Sequence, residues 1–178
     1  MTALPTRALT LWQPYAWLVA TGEKPLENRP RGFAQKSFRG EFWIHAGKHE
    51  PDDDDWDRVL TMCREATGTD DLGERAMNAW SSGNLALGAI IGRGTIAGIV
   101  PPRPRGSMWD AYLARDAPLA WHIPSQYAFV VEGASLLSEP VPCEGSRGFW
   151  LVSPETRKAL TQALKRKPKP KTQRKEPA

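Results

Sequence analysis

Residues 21 to 32, TGEKPLENRPRG, place Lys24, Glu27 and Arg29 within six positions, between Gly22 and Pro30. A carboxylate set between two cations favours the charged forms of both, whereas partial burial pushes a lysine towards neutrality and makes it a base or a nucleophile. The same residues spread over an exposed surface would contribute little. Lys24 precedes Pro25 and Arg29 precedes Pro30, so both are biased towards extended backbone, and LENR is expected to form a short strand. In a regular strand Glu27 and Arg29 share one face, and Leu26 and Asn28 the other, with Lys24 falling on the side of Leu26. Gathering the three charges into one site therefore requires a bend near Pro25.

The flanking segments must position this motif. RALTLWQP alternates Leu9 and Leu11 against Ala8, Thr10 and Trp12, which predicts a first strand stopped by Pro14. A short helix follows, with Pro14 at its first position, Tyr15, Leu18 and Val19 as its stripe and Gly22 at its C-terminal end. FRGEFWIHAG predicts a second strand, with Phe42 and Ile44 on one face and Glu41, Trp43 and His45 on the other. PDDDDWDRVLTMCREATG reads as a helix with an acidic first turn and an apolar stripe of Trp56, Val59, Leu60 and Cys63; a second helical piece is expected over residues 74 to 81. LALGAIIGRGTIAGIV is β-branched but carries Gly88, Gly92, Gly94 and Gly98, which suits a strongly bent strand. QYAFVVEGASLL and RGFWLV are further strands, SMWDAYLARD a short helix, and SPETRKALTQALK a closing helix with Ser153 as its N-cap. Short strands with glycine bends and interspersed helices define an α+β chain built on a small mixed barrel with a helical insertion, not a parallel sheet.

Charge is zoned along the chain. Residues 165 to 178, KRKPKPKTQRKEPA, carry seven Lys or Arg and one Glu, so that of the overall +4 the rest of the chain contributes −2. Residues 1 to 49 hold seven basic and three acidic side chains, and residues 50 to 76 three basic and ten acidic. Prolines and lysines predict a disordered basic tail able to attract any polyanion or to serve a protein partner. Organisation follows as a domain over 1–152 with an acidic helical insertion over 50–82, a helix over 153–164 and the tail over 165–178. Neither a secretory signal nor a membrane span is expected, which points to the cytoplasm. Cys63 and Cys143 lack CxxC spacing, and His45, His49 and His122 form no ligand pattern, so no disulfide, metal or cofactor is expected.

Gly22, Lys24, Glu27 and Arg29 spell G-x-K-x-x-E-x-R. Preceded by LTLWQPYAWLVATG and followed in order by RGEFWIHAG, ALGAIIGRGTI and PVPCEGSRGFWLV, the motif resembles the ASCH domain (activating-signal-cointegrator homology), a member of the PUA-like β-barrel group. The resemblance spans roughly residues 8 to 152 and implies a PUA-like barrel that binds RNA or another nucleic acid in a cleft lined by Lys24, Glu27 and Arg29, with Trp12 and Gln13 nearby. Some relatives are enzymes: one branch deacetylates N-acetylated cytidine with a lysine, a threonine and a glutamate, and another member is described as a ribonuclease. In the amidohydrolase pattern a threonine stands three positions after the lysine, where this chain has Glu27.

Single strands are held by cations along the backbone and by aromatic faces on which bases stack. Trp12, Trp43 and His45 are the candidate faces, and Arg29, Arg31, Arg39 and Arg147 the candidate cations, with Ser146 and Arg147 in a glycine-flanked turn. Trp17, Trp56 and Trp150 are assigned structural roles. The proline-stiffened Arg103 and Arg105 could also reach a phosphate backbone. The acidic helix is expected to lie away from the binding face, or to gate it. Three functions follow: binding of RNA, single-stranded nucleic acid or a modified nucleoside; metal-independent hydrolysis of RNA or a modified nucleoside with Lys24 as base or nucleophile and Glu27 assisting; or a regulatory adaptor for a protein partner.

Overall fold

The computed structural model describes residues 4–102 and 117–165. The helix expected over 107–116, Arg103, Arg105 and the tail beyond Lys165 lie outside the described residues.

Six strands form one mixed sheet: β1 (Arg7–Leu11), β2 (Leu26–Arg29), β3 (Gly40–Ala46), β4 (Ala89–Val100), β5 (Tyr127–Pro142) and β6 (Phe149–Leu151). Their spatial order is β2-β5-β4-β3-β1-β6, and the sheet curls into a half-barrel with β2 and β6 at its edges. β1 and β3 run parallel, while the other neighbours are antiparallel. The curl comes from the long β4 and β5 pair, whose register shifts three times, between Ile90 and Gly92, Arg93 and Thr95, and Ile96 and Gly98. Glycine is required at Gly92 because a Cβ there would stand 2.7 Å from the Ser135 carbonyl oxygen and 2.9 Å from the Ala20 Cβ. The glycines of β4 thus let one strand bend over the first helix.

That helix, α1 (Tyr15–Ala20), follows β1 directly and packs against β3, β4 and β5. Ala16, Val19 and Ala20 join Leu9, Leu11, Phe42, Ile44, Phe129 and Phe149 in one core, whereas Leu18 on its other side joins a second core. Gly22 adopts φ 80° after the helix, as a terminal glycine should. The chain is thereby delivered to Lys24 within one turn of the helix end.

The insertion forms α2 (Asp53–Thr67) and α3 (Asp71–Ser81), the latter beginning three residues before the expected start at Glu74. Asp52 and Asp55 make a reciprocal capping box at the N-terminus of α2, and Gly68 closes it at φ 77°. Trp56, Val59 and Cys63 pack with Leu18, Leu26 and Ala128, while Leu60 is only half-buried. Since Leu18 and Leu26 flank the charged motif, the acidic helix must stand beside it. The expectation that the helix lies away from the binding face is therefore corrected by its own apolar stripe.

Residues Ala117–Trp121 form a 3-10 turn, which periodicity did not indicate. The closing helix α4 (Pro154–Lys165) starts as expected, with the Ser153 Oγ accepting from the Thr156 N–H at 3.2 Å. Leu160 and Ala163 cover Ala8, Trp43, Ile90 and Val152, so the sheet is packed on both faces at β1 and β3. No described helix is long and apolar enough to cross a membrane. Cys63 and Cys143 are free thiols.

Candidate nucleic-acid interface

The bend demanded by the sequence is present. Lys24 lies before β2, its N–H donating to the Leu18 carbonyl, and its side chain folds forward over Pro25 so that Nζ donates to the Leu26 carbonyl and stands 3.5 Å from Glu27 Oε2. On the other side of the carboxylate, Arg29 Nη2 lies 3.1 Å from Glu27 Oε1 and donates to the Thr10 carbonyl at 2.9 Å. Lys24 is 2% exposed and Glu27 7%, with the Arg29 side chain at 18%, so this is a largely buried triad and not a surface cluster. Burial, opposed chiefly by Glu27, lowers the Lys24 amine below its ordinary value. Tyr15 faces the same space, 5.8 Å from Lys24 Nζ to the ring centre, and its phenol is pushed up to about 12 by burial, with Asp55 and Glu27 adding to the effect. Arg29 Nε is buried and has no hydrogen-bond partner.

These residues floor a cavity of about 500 Å³ whose walls are Thr10, Trp12, Asn28, Met62 and Ile123. Asn28 holds one wall in place: its Nδ2 donates to the Trp121 carbonyl at 2.8 Å and its Oδ1 accepts from the Ile123 N–H at 2.9 Å. We call this the deep lobe. Across Thr10, Trp12, Arg29 and Pro30 it meets an outer lobe of about 800 Å³, lined further by His45, Lys48, Glu144 and the turn Gly145–Gly148. Trp12 stands at the shared rim and is 57% exposed. Its indole stacks on His49, ring centres 4.4 Å apart, and His49 Nε2 is 2.6 Å from Asp55 Oδ2 in the capping box of α2. That bond lowers the Asp55 carboxyl below its ordinary range.

Thr10 ties the outer lobe together. Its hydroxyl donates to the Ser146 carbonyl at 2.8 Å, accepts from Trp150 Nε1 at 3.0 Å and lies 3.2 Å from His45 Nδ1. His45 Nε2 is 3.2 Å from the Cys143 carbonyl, which can only accept, so this nitrogen carries a proton; burial lowers the imidazole pKa, which favours the neutral form. Gly145 passes so close that a Cβ there would overlap the His45 ring.

Of the eight sequence-predicted site residues, the structure brings Trp12, Lys24, Glu27, Arg29, His45 and Arg147 to the two lobes. Two go elsewhere. Gln13 is 1% exposed, donating to the Ala86 carbonyl at 3.0 Å and accepting from the Trp17 N–H at 3.1 Å, so it anchors the start of α1. Trp43 is wholly buried under α4 and donates to the Pro5 carbonyl at 2.8 Å, because the second face of β3 is covered and not open. His45, 2% exposed, lies in the outer wall, presenting an edge 3.2 Å from the Thr10 hydroxyl in place of an open stacking face. Sequence reasoning missed Thr10, Tyr15, Asn28, Lys48 and Met62. Thr10 and Asn28 had a readable signal: Thr10 stands two positions before Trp12, on the same face of the expected strand, and Asn28 lies between Glu27 and Arg29.

The chain is thus an α+β protein whose curled mixed sheet carries a charged two-lobed cleft at the junction of β1 and β2. No family model matches it. Among solved structures it is similar to the ASCH protein from Zymomonas mobilis, at 14% identity and a TM-score of 0.48, over 88% of this chain and 93% of that one. It is also similar to a single-residue variant of that protein, at 13% identity and a TM-score of 0.48 over 88% and 96% of the two chains.

Proposed function

We propose that the two-lobed cleft binds single-stranded nucleic acid, RNA in the first instance, with a base in the deep lobe beside Trp12 and the adjoining backbone in the outer lobe. One observation carries the reading: an indole 57% exposed stands on the rim of a cavity floored by a buried Lys24–Glu27–Arg29 triad. A large apolar face held in water beside fixed donors and acceptors suits a flat heterocycle with polar edges. Arg29 lines both lobes, where a guanidinium suits an acceptor on the ligand. Lys48 and Arg147 supply the exposed cations that a phosphate backbone requires.

Anisotropy titration of a labelled single-stranded RNA against the full chain, Trp12→Ala and Arg29→Ala tests this. Losing one stacked base should weaken binding by about 1–3 kcal/mol. If both variants bind as the parent does, the affinity belongs to the basic tail and the reading falls.

A second reading has one observation in its favour. Burial lowers the Lys24 amine, so its neutral form can take a proton, with Glu27 at 3.5 Å to accept it onward. In this reading the cleft hydrolyses RNA, or an amide of a modified nucleoside, without a metal. RNA shortening on a denaturing gel in chelator, lost in Lys24→Met, would favour it.

A further inference from the structure

The deep lobe opens in two directions that differ in charge. Through Thr10, Trp12 and Arg29 it leads to the outer lobe, where Arg29, Lys48 and Arg147 face a single carboxylate, Glu144, 3.9 Å from Lys48. Through Tyr15, Met62 and Ile123 it leads to a third cavity of about 500 Å³, between α2 and residues 120–124. Asp57, Arg58 and Glu65 of α2 line that cavity. Arg58 is already occupied by Asp54 at 3.8 Å and Asp55 at 3.3 Å, whereas Asp57 and Glu65 have no ion-pair partner among the described residues. The groove therefore runs from a cationic end, past the buried triad, to an acidic end.

An internal nucleotide of a strand has a phosphate on each side of its sugar. If its base filled the deep lobe, one of the two backbone directions would enter the outer lobe and meet cations. The other would enter the third cavity and meet uncompensated carboxylates, where like charges at close range repel. A terminal nucleotide has only one such neighbour. We propose that the cleft takes the end of a single strand, with the terminal base in the deep lobe and the rest of the chain leaving through the outer lobe, and that Asp57 and Glu65 exclude a strand that continues past it. The inference rests on the proposed nucleic-acid reading and adds its polarity. A free mononucleotide carries the same chemistry as a strand end, and the two are distinguished below.

The test is competition, by the full chain, between a labelled linear single-stranded RNA and two unlabelled competitors of one sequence, a linear strand and its covalently closed circle. Salt is set high enough to suppress non-specific association, which both forms share. The circle should compete about tenfold less well than the linear strand, a gap of roughly 1.4 kcal/mol. In the double variant Asp57→Asn, Glu65→Gln the circle should approach the linear strand; both residues are exposed, so the fold is not at stake. A nucleoside monophosphate that displaces the label fully would identify a single nucleotide as sufficient, and partial displacement would assign part of the affinity to the strand in the outer lobe; the circle decides for or against an end. Equal competition by circle and linear strand overturns the proposal while leaving binding in the cleft intact. Binding indifferent to Trp12→Ala overturns the reading beneath it instead.

Discussion

The deep and outer lobes share Thr10, Trp12, Arg29 and Pro30, yet they are built on opposite electrostatic plans. In the deep lobe Lys24 and Glu27 are withdrawn from water and bonded to one another or to backbone carbonyls before any ligand arrives. In the outer lobe Lys48 and Glu144 are 74% and 94% exposed, their ion pair is stretched to 3.9 Å, and Arg147 sits on an exposed turn. Burying the first set costs desolvation and fixes geometry; exposing the second costs little and leaves it free to rearrange. In the proposed binding the contrast is a division of labour, in which the deep lobe would select by shape and bonded polarity and the outer lobe would attract by charge.

The comparison breaks most visibly if one member of the buried set is removed. Glu27→Ala leaves Lys24 buried without its carboxylate, and denaturant unfolding should show a loss of about 3–5 kcal/mol. A loss below about 1 kcal/mol would mean that the deep lobe is as soft as the outer one.

A pH series sharpens the same point. Below the lowered native pKa of Lys24 the amine is charged in both folded and unfolded chains, so its burial cost is present in full. As pH rises through that native value towards the ordinary 10.5, the folded amine sheds its proton first and the cost is relieved. The stability of the parent should therefore climb over this window relative to Lys24→Met; parallel curves would place the lysine in water.

The smallest effect belongs to the outer lobe. Lys48→Ala and Arg147→Ala should each change unfolding stability by less than about 0.5 kcal/mol. Each should nonetheless lower the slope of log affinity against log salt for single-stranded RNA by about 0.7. An unchanged slope would remove that residue from the backbone path.

Legibility followed the same division. Lys24, Glu27 and Arg29 could be read because their geometry is local: two prolines fix the backbone and one bend brings the charges together. The bent β4 was legible for a like reason, since its glycines carry the bend themselves. Trp43 could not be placed from alternation, because β3 is covered on both faces and alternation distinguishes the faces without saying what covers each. Gln13 failed similarly: an amide beside Trp12 reads the same whether it faces a cleft or anchors a helix. Met62 comes to the cleft, and His49 is bonded behind Trp12, through α2, whose position depends on Trp56, Val59 and Cys63 meeting Leu18 and Leu26 across long sequence separations. The acidic composition of the helix argued for distance from the cleft, and its apolar stripe decided the matter.

Thr10 presents its carbonyl to Arg29 at the deep lobe and its hydroxyl to His45, Ser146 and Trp150 at the outer one. One residue of β1 is thus a hinge pin common to two rooms. Linkage makes any coupling through it reciprocal: were a ligand that draws Arg29 away from the carbonyl to change the affinity of the outer lobe, an anion that shifts the Ser146 turn would change the affinity of the deep lobe by the same factor.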